Sequence, residues 1–199
     1  MIRVQHNEFT VGSLPPPVIS RVGKMIMPSA AQKAIDTYVG NEAWVDGYNF
    51  LILGPPGCGK TSTGLYLMRS IVKAGHDDLN IVYWTEADFH DDLRNLWRYE
   101  SLVQKSVGDG PLWNEYTEWE RSLWDLKEAR LLFMDDVGRG HTPNQRYELE
   151  SLLRRRRDMG LGTIVAAEQG AWGALPSTLT SLFNESQKVQ LQEVQRARG

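Results

Sequence analysis

An α/β fold of three layers, with helices on both faces of a central parallel sheet, is what this 199-residue sequence predicts. Three observations carry the prediction. Short β-rich runs alternate with longer segments of helical period, the pattern of strands joined by crossover helices. The runs are continuously apolar, as strands covered on both faces are. Finally, Gly54-Pro55-Pro56-Gly57-Cys58-Gly59-Lys60-Thr61 matches the phosphate-binding P-loop, G-x-x-x-x-G-K-[ST], at every fixed position and in its strand–turn–helix context.

Residues 1–28 read as a poorly periodic arm, punctuated by Pro15-Pro16-Pro17, and residues 29–199 as the P-loop domain. Such an arm either docks on a partner or packs loosely on its own domain. Pro28-Ser29 marks a helix start with Ser29 as N-cap, followed by Ala31, Ala34, Ile35 and Tyr38 at helical spacing. After a connector from Gly40 to Gly47, Phe50-Leu51-Ile52-Leu53 is a buried strand. The helix from Thr61 carries Leu65, Met68 and Val72 on one stripe, with Leu67 and Ile71 beside it. Gly75 to Asp78 is a turn, and Leu79 to Thr85 a buried parallel strand.

Glu86 to about Lys105 keeps a helical period, and Ser106 to Pro111 breaks it. A second helix, Leu112 to about Leu126, carries Trp113, Tyr116, Trp119, Leu123 and Trp124. That arc is broader than one core contact requires, but core packing alone is the expected use. The strand from Ala129 ends in Asp135-Asp136, Gly138 to Pro143 is a loop, and Asn144 to Asp158 is helical. Thr163 to Ala167 is another buried strand, expected beside the P-loop strand. Leu175 to Phe183 reads as a short helix, and Lys188 to Gln192 as the last strand.

Composition sets bounds on the function. A hydrophobic content of 41% and a charged content of 24% are ordinary for a globular chain of one domain. No apolar run approaches the ~20 residues of a membrane span, and Met1 to Thr10 lacks the apolar stretch of a signal peptide. The single cysteine excludes an intramolecular disulfide framework and a cysteine-based zinc site, and suits a reducing cytoplasm. At a net charge of −3, any nucleic-acid surface has to be a local patch.

The chemistry starts at the P-loop. Glycines let the backbone bend so that its N–H groups, with the positive end of the following helix, converge on phosphate oxygens. Gly54 to Thr61, with Ser62, are therefore the candidate nucleotide contacts. Lys60 places a point charge on the β- and γ-phosphates, and the Thr61 hydroxyl ligates Mg²⁺. Strand ends of a parallel sheet open onto the same edge as the P-loop, which brings in Asp135 and Asp136. Asp135 is expected to hold the metal ion and Asp136 to activate the attacking water. At the exit of the strand Thr163 to Ala167, Gln169 is a candidate to position water. Glu168 there brings a third negative charge toward the phosphates, which costs energy unless a cation or proton balances it.

Cys58 lies among the phosphate-binding N–H groups, where alkylation is expected to inactivate the protein and ATP to protect it. The alternative is a small buried filler. Arg154, Arg155, Arg156 and Arg157 close their helix, where cations favour the dipole. Arg156 falls on the stripe of Leu149, Leu152 and Leu153 while the other three point away, which makes it a candidate interior or interface contact, the alternative being a solvated charge. Arg154, Arg155 and Arg157, with Arg139 and Arg146, are candidates for a DNA phosphate patch, the alternative being a solvated face.

GPPGCGKT, IVYWTEADFHDDL, ARLLFMDDVG and an arginine-bearing helix leading to GTIVAAE together resemble the DnaC/IstB-type AAA+ ATPases over roughly residues 30 to 185. The resemblance implies a P-loop NTPase of the AAA+/ASCE class, acting in the bacterial cytoplasm and in some cases phage-encoded. It implies ATP and Mg²⁺ as cofactors, with Lys60 and Thr61 at the phosphates, Asp135 as metal acid and Asp136 as water-activating acid. It further implies a homo-oligomer on DNA, single-stranded in the replicative case, and a replicative helicase or a transposase as partner. Where Glu168 stands the family usually has Asn. Its trans-acting arginine lies on a helix that here reads Leu179-Thr180-Ser181-Leu182-Phe183-Asn184. Only seven residues follow Gln192, which leaves no room for a C-terminal helical lid domain.

The expected function is thus a slow ATPase, stimulated by DNA or a partner, that loads or remodels a replicative helicase. An IstB-like partner of a transposase shares every motif. A small-molecule P-loop kinase would instead use Arg154 to Arg157 as a lid, and a non-hydrolysing adaptor would bind ATP without turnover.

Overall fold

The computed structural model describes residues 27–75, 80–103, 111–139 and 142–192. The N-terminal arm, most of the turn after Gly75 and most of the break before Pro111 lie outside these residues. The elements in chain order are α1 (Ser29–Gly40), β1 (Phe50–Leu53), α2 (Lys60–Lys73), β2 (Ile81–Thr85), α3 (Glu86–Val103) and α4 (Pro111–Glu128). They continue with β3 (Leu131–Val137), α5 (Pro143–Asp158), β4 (Gly162–Ala167), α6 (Gln169–Gly173), α7 (Ser177–Thr180), a 3₁₀ turn over Ser181–Phe183, and β5 (Gln187–Gln190).

The five strands form one parallel sheet in the order β2-β3-β4-β1-β5. Alternate residues of β1 feed two cores. Phe50 and Ile52 face α1 and α2 together with Phe133, Ile164, Ala166 and Val189. Leu51 faces the other side, where Met134, Val165 and Ala167 meet α3, α4, α5 and the short helices. These are the three layers that the sequence predicts, and no helical lid lies among the described residues.

Local chemistry sets the boundaries. Thr142 caps α5 in a reciprocal box with Gln145, and Pro143 occupies the first turn, where its missing N–H costs nothing. Four expectations need correction. Pro28, not Ser29, is in the cap position of α1, and no side chain caps that helix. β2 is a sheet edge, so Val82, Tyr83, Trp84 and Thr85 are only half-buried despite their apolar run. The residues after β4 form α6, which the sequence reading leaves out. On α4, Leu123 and Leu126 enter the core, whereas Trp113 and Trp124 are 48% and 56% exposed, so core packing does not account for its aromatic arc.

Close approach requires a glycine inside α2. A Cβ on Gly64 of α2 would lie 2.2 Å from the Phe133 ring of β3. Gly64→Ala is expected to lose about 1–3 kcal/mol of stability, the scale of an overpacked core. An unchanged urea midpoint would show that the ring yields freely.

Candidate functional site

Strand β1 delivers the chain into the P-loop at Gly54. The turn is left-handed at Gly57 (φ 73°) and again at Gly59 (φ 94°), conformations that cost glycine little. Gly54 itself is crowded: a Cβ there would lie 2.6 Å from Cys58 Sγ and 2.8 Å from the carbonyl oxygen of Leu191. Cys58 is therefore a buried filler, packed with the α1/α2 core and 8% exposed. The expected inactivation by alkylation is disfavoured, because the thiol packs against Gly54 and the core beneath the loop. Pro56 and Gly57 are exposed at the tip, and Pro55 and Ser62 are half-buried. The Lys60 ammonium donates to the carbonyls of Gly54 (3.1 Å) and Pro55 (2.9 Å), which ties the side chain across its own loop.

The acid strand meets this loop although β4 lies between β1 and β3. Thr61 Oγ1 donates to Asp135 Oδ2 at 2.6 Å across 74 residues of sequence. The alignment follows from two periodicities. Thr61 and Gly64 share a helix face three residues apart, and Phe133 and Asp135 share a strand face two residues apart. Seating the Phe133 ring on Gly64 therefore brings Asp135 to Thr61.

Asp135 is 4% exposed, and burial pushes its carboxyl above the ordinary aspartate range. The neighbouring Asp136 charge adds to the rise; hydrogen bonds from Thr61, the Asp136 N–H and Tyr83 oppose it. Tyr83 Oη lies 3.3 Å from Asp135 Oδ2, and burial, then the Asp135 charge, raises the phenol well above its usual range. Sequence reasoning missed Tyr83; its place two residues from the end of the neighbouring strand was the available signal.

Asp136 is set apart from Asp135 by a β-bulge. Met134 pairs with Val165 and Val137 with Ala167, so β3 carries one residue more than β4 across this interval. Asp136 takes up the irregularity with φ at 59°, a left-handed conformation in which Asp is among the few tolerated residues. Its carboxylate is half-exposed, facing outward, where it lies 3.6 Å from Arg139 Nη2. The same guanidinium nitrogen lies 3.8 Å from Glu168 Oε2 at the exit of β4.

The structure thus brings Glu168 to the acids. Gln169 goes elsewhere: its amide oxygen accepts from Gln190 Nε2 (2.9 Å) on the β5 side. A further acid missed by sequence reasoning is Glu86, which opens α3 at the same sheet edge and accepts from the Gly138 N–H at 2.7 Å.

The arginines separate into different roles. Arg139 lies beside the acid cluster, between Asp136 and Glu168. Arg156 is fully buried and is withdrawn from any external surface. Its guanidinium donates to Thr163 Oγ1 and to the carbonyls of Leu126, Ala129 and Gly162 at 2.7–3.0 Å. Burial lowers its pKa to about 9, with Glu128 and Tyr38 opposing the shift, so it remains cationic at neutral pH. Arg146, Arg154, Arg155 and Arg157 are exposed on α5. Arg154 pairs with Glu150 (2.7 Å), and Arg155 pairs with Glu128 (2.9 Å) while lying 5.8 Å from the centre of the Trp124 ring. An open hollow of about 550 Å³ along this helix is lined by Ser151, Arg154, Arg155, Asp158 and Met159, none of them in the P-loop.

Among the described residues, no three His, Cys, Asp or Glu side chains could hold a metal ion by themselves. A hydroxyl and a carboxylate converging beside a phosphate loop suit Mg²⁺, which takes oxygen ligands and usually completes its shell with phosphate and water. No helix among the described residues is long and apolar enough to cross a membrane.

A sequence profile of the family described as AAA domain (dynein-related subfamily) matches residues 49–197. No curated protein matches the chain. Among solved structures, the DnaC helicase loader superposes with a TM-score of 0.63 at 13% identity, over 89% of this chain and 99% of that one. DnaI superposes with a TM-score of 0.64 at 12% identity, over 90% and 92%. The replication initiator DnaA bound to AMPPCP and single-stranded DNA gives 0.62 at 16%, over 90% of this chain and 51% of that one. At these identities the likeness is one of fold.

Proposed function

The chain belongs to the AAA domain family, its fold is of the DnaC helicase-loader type, and from that premise we propose that it binds and hydrolyses ATP in DNA replication, loading or remodelling a replicative helicase. The observation that carries the hydrolytic part is the 2.6 Å contact between Thr61 of the phosphate loop and Asp135 of the acid strand.

In this reading the N–H groups of Gly57 to Thr61 cradle the phosphates and Lys60 exchanges its loop carbonyls for β- and γ-phosphate oxygens. Thr61 and Asp135 hold Mg²⁺, which supplies Lewis-acid neutralisation of phosphate charge. Asp136, turned outward by its bulge, accepts a proton from the water that attacks the γ-phosphorus. ADP and inorganic phosphate leave as products.

Two partner assignments support this role without being needed for the chemistry. A replicative helicase is proposed from the fold shared with DnaC and DnaI. Single-stranded DNA is proposed for the outer face of α4 and α5, where the exposed Trp124 offers a ring for base stacking and Arg146, Arg154, Arg155 and Arg157 offer cations for phosphates. A homo-oligomer with nucleotide between protomers follows from the same family reading.

The test is direct. Lys60→Ala should weaken Mg-ATP binding by about 10²- to 10⁴-fold, the loss of two charge-assisted phosphate contacts. Calorimetry on wild type and variant measures it, and equal affinities would remove Lys60 from the site. Phosphate release by the wild type, measured with and without single-stranded DNA and helicase, then separates a loader from an ATPase that responds to neither.

A further inference from the structure

The acids at the mouth of the site present a charge problem, and the structure contains an answer to it. Glu168 leaves β4, the strand beside the P-loop strand, at the edge where the γ-phosphate would lie. A carboxylate in that position repels phosphate unless its charge is balanced. Asp136 adds a second outward charge beside it. Arg139 Nη2 stands between the two carboxylates, 3.6 Å from Asp136 Oδ1 and 3.8 Å from Glu168 Oε2.

The backbone before Arg139 is fixed from both sides. Gly138, at φ 104°, has its N–H held by Glu86 at 2.7 Å. On the other flank a Cβ on Gly138 would lie 3.0 Å from Ala171 in α6, a tight contact, and the positive φ itself favours glycine there. The turn is thus pinned between α3 and α6, and the arginine that follows is directed at the gap between the acids.

We propose that Arg139 is the built-in counter-ion of this site: it neutralises Glu168 so that a triphosphate is accepted, and it holds the Asp136 carboxylate in its outward orientation. Arg139 is a positioning residue. It acts through the two carboxylates and makes no contact with the reacting phosphorus. The inference rests on the ATPase reading above and adds a determinant of affinity for the γ-phosphate.

A charge cycle tests it, with Mg-ATP and Mg-ADP affinities measured by calorimetry. Arg139→Ala should weaken Mg-ATP binding roughly fivefold, the scale of a half-exposed charge pair, and Mg-ADP binding much less, because ADP lacks the group that meets Glu168. Adding Glu168→Gln to Arg139→Ala should restore ATP affinity to the wild-type value. Arg139→Lys should recover most of it, since a point charge suffices for neutralisation. In turnover, Arg139→Ala should raise KM and also lower kcat, whereas the double variant should recover KM and leave kcat low, because Asp136 still lacks its orienting partner.

Two results overturn the proposal: equal ATP affinities for wild type and Arg139→Ala, or a double variant no better than the single one. A wild type that fails to bind Mg-ATP defeats the ATPase reading itself. Wild-type binding with a flat cycle defeats only the role of Arg139.

Discussion

Asp136→Asn is expected to bind Mg-ATP as tightly as the wild type and to hydrolyse it about 10²- to 10⁴-fold more slowly, the usual cost of losing a general base. The choice of Asn follows from the backbone. Position 136 is left-handed, and Asn is one of the few residues that tolerates this region, so the bulge of β3 survives while the proton acceptor is lost. A β-branched residue or Ala would confound the result by disturbing the turn and its contacts to Arg139. Single-turnover phosphate release separates binding from chemistry. Hydrolysis at the wild-type rate would move the base elsewhere, with Glu168 the next candidate by position.

Arg156→Leu is expected to cost about 3–5 kcal/mol, comparable to breaking a buried charged network. The side chain is fully buried, and four acceptors depend on it: Thr163 Oγ1 and the carbonyls of Leu126, Ala129 and Gly162. Leucine fills part of the volume but leaves those acceptors without donors, and that is the larger penalty. For a chain of this size the loss corresponds to roughly 10 °C in Tm. Arg156→Lys should fall between, because one ammonium cannot span acceptors that a planar fork reaches together. A melting curve for Arg156→Leu that overlays the wild type would show that those carbonyls find other donors. Calorimetric scans of the three proteins decide the matter.

The parts of this molecule legible in the sequence are those in which residue type and spacing are themselves the constraint. The phosphate loop is legible because its glycines, Lys60 and Thr61 have fixed positions. The layer order is legible because strands and helices alternate, and Arg156 is legible because it falls on the stripe of Leu149, Leu152 and Leu153. What stayed hidden depends on neighbours far along the chain. The extra residue at Asp136 is visible only once Met134 and Val137 are paired with β4. Arg139 reads as one more surface cation until the turn at Gly138 sets it against Glu168. The run IVYWT has the composition of a central strand, yet it lies at the edge, where Tyr83 is free to reach Asp135. Cys58 is misplaced by reasoning from the loop alone, because which way its thiol points depends on packing against the core beneath the loop.

The aromatic ring of Phe133, seated where Gly64 has no side chain, has a mechanical consequence. Two segments of the candidate site, far apart in the chain, share a rigid spacer, so the gap between them is gauged by the reach of one phenyl side chain, met at its tip, and not by a flexible connection. Trimming that spacer, as in Phe133→Leu, would let helix and sheet settle toward each other and detune the jaws of the site from a distance, without altering any group that handles phosphate.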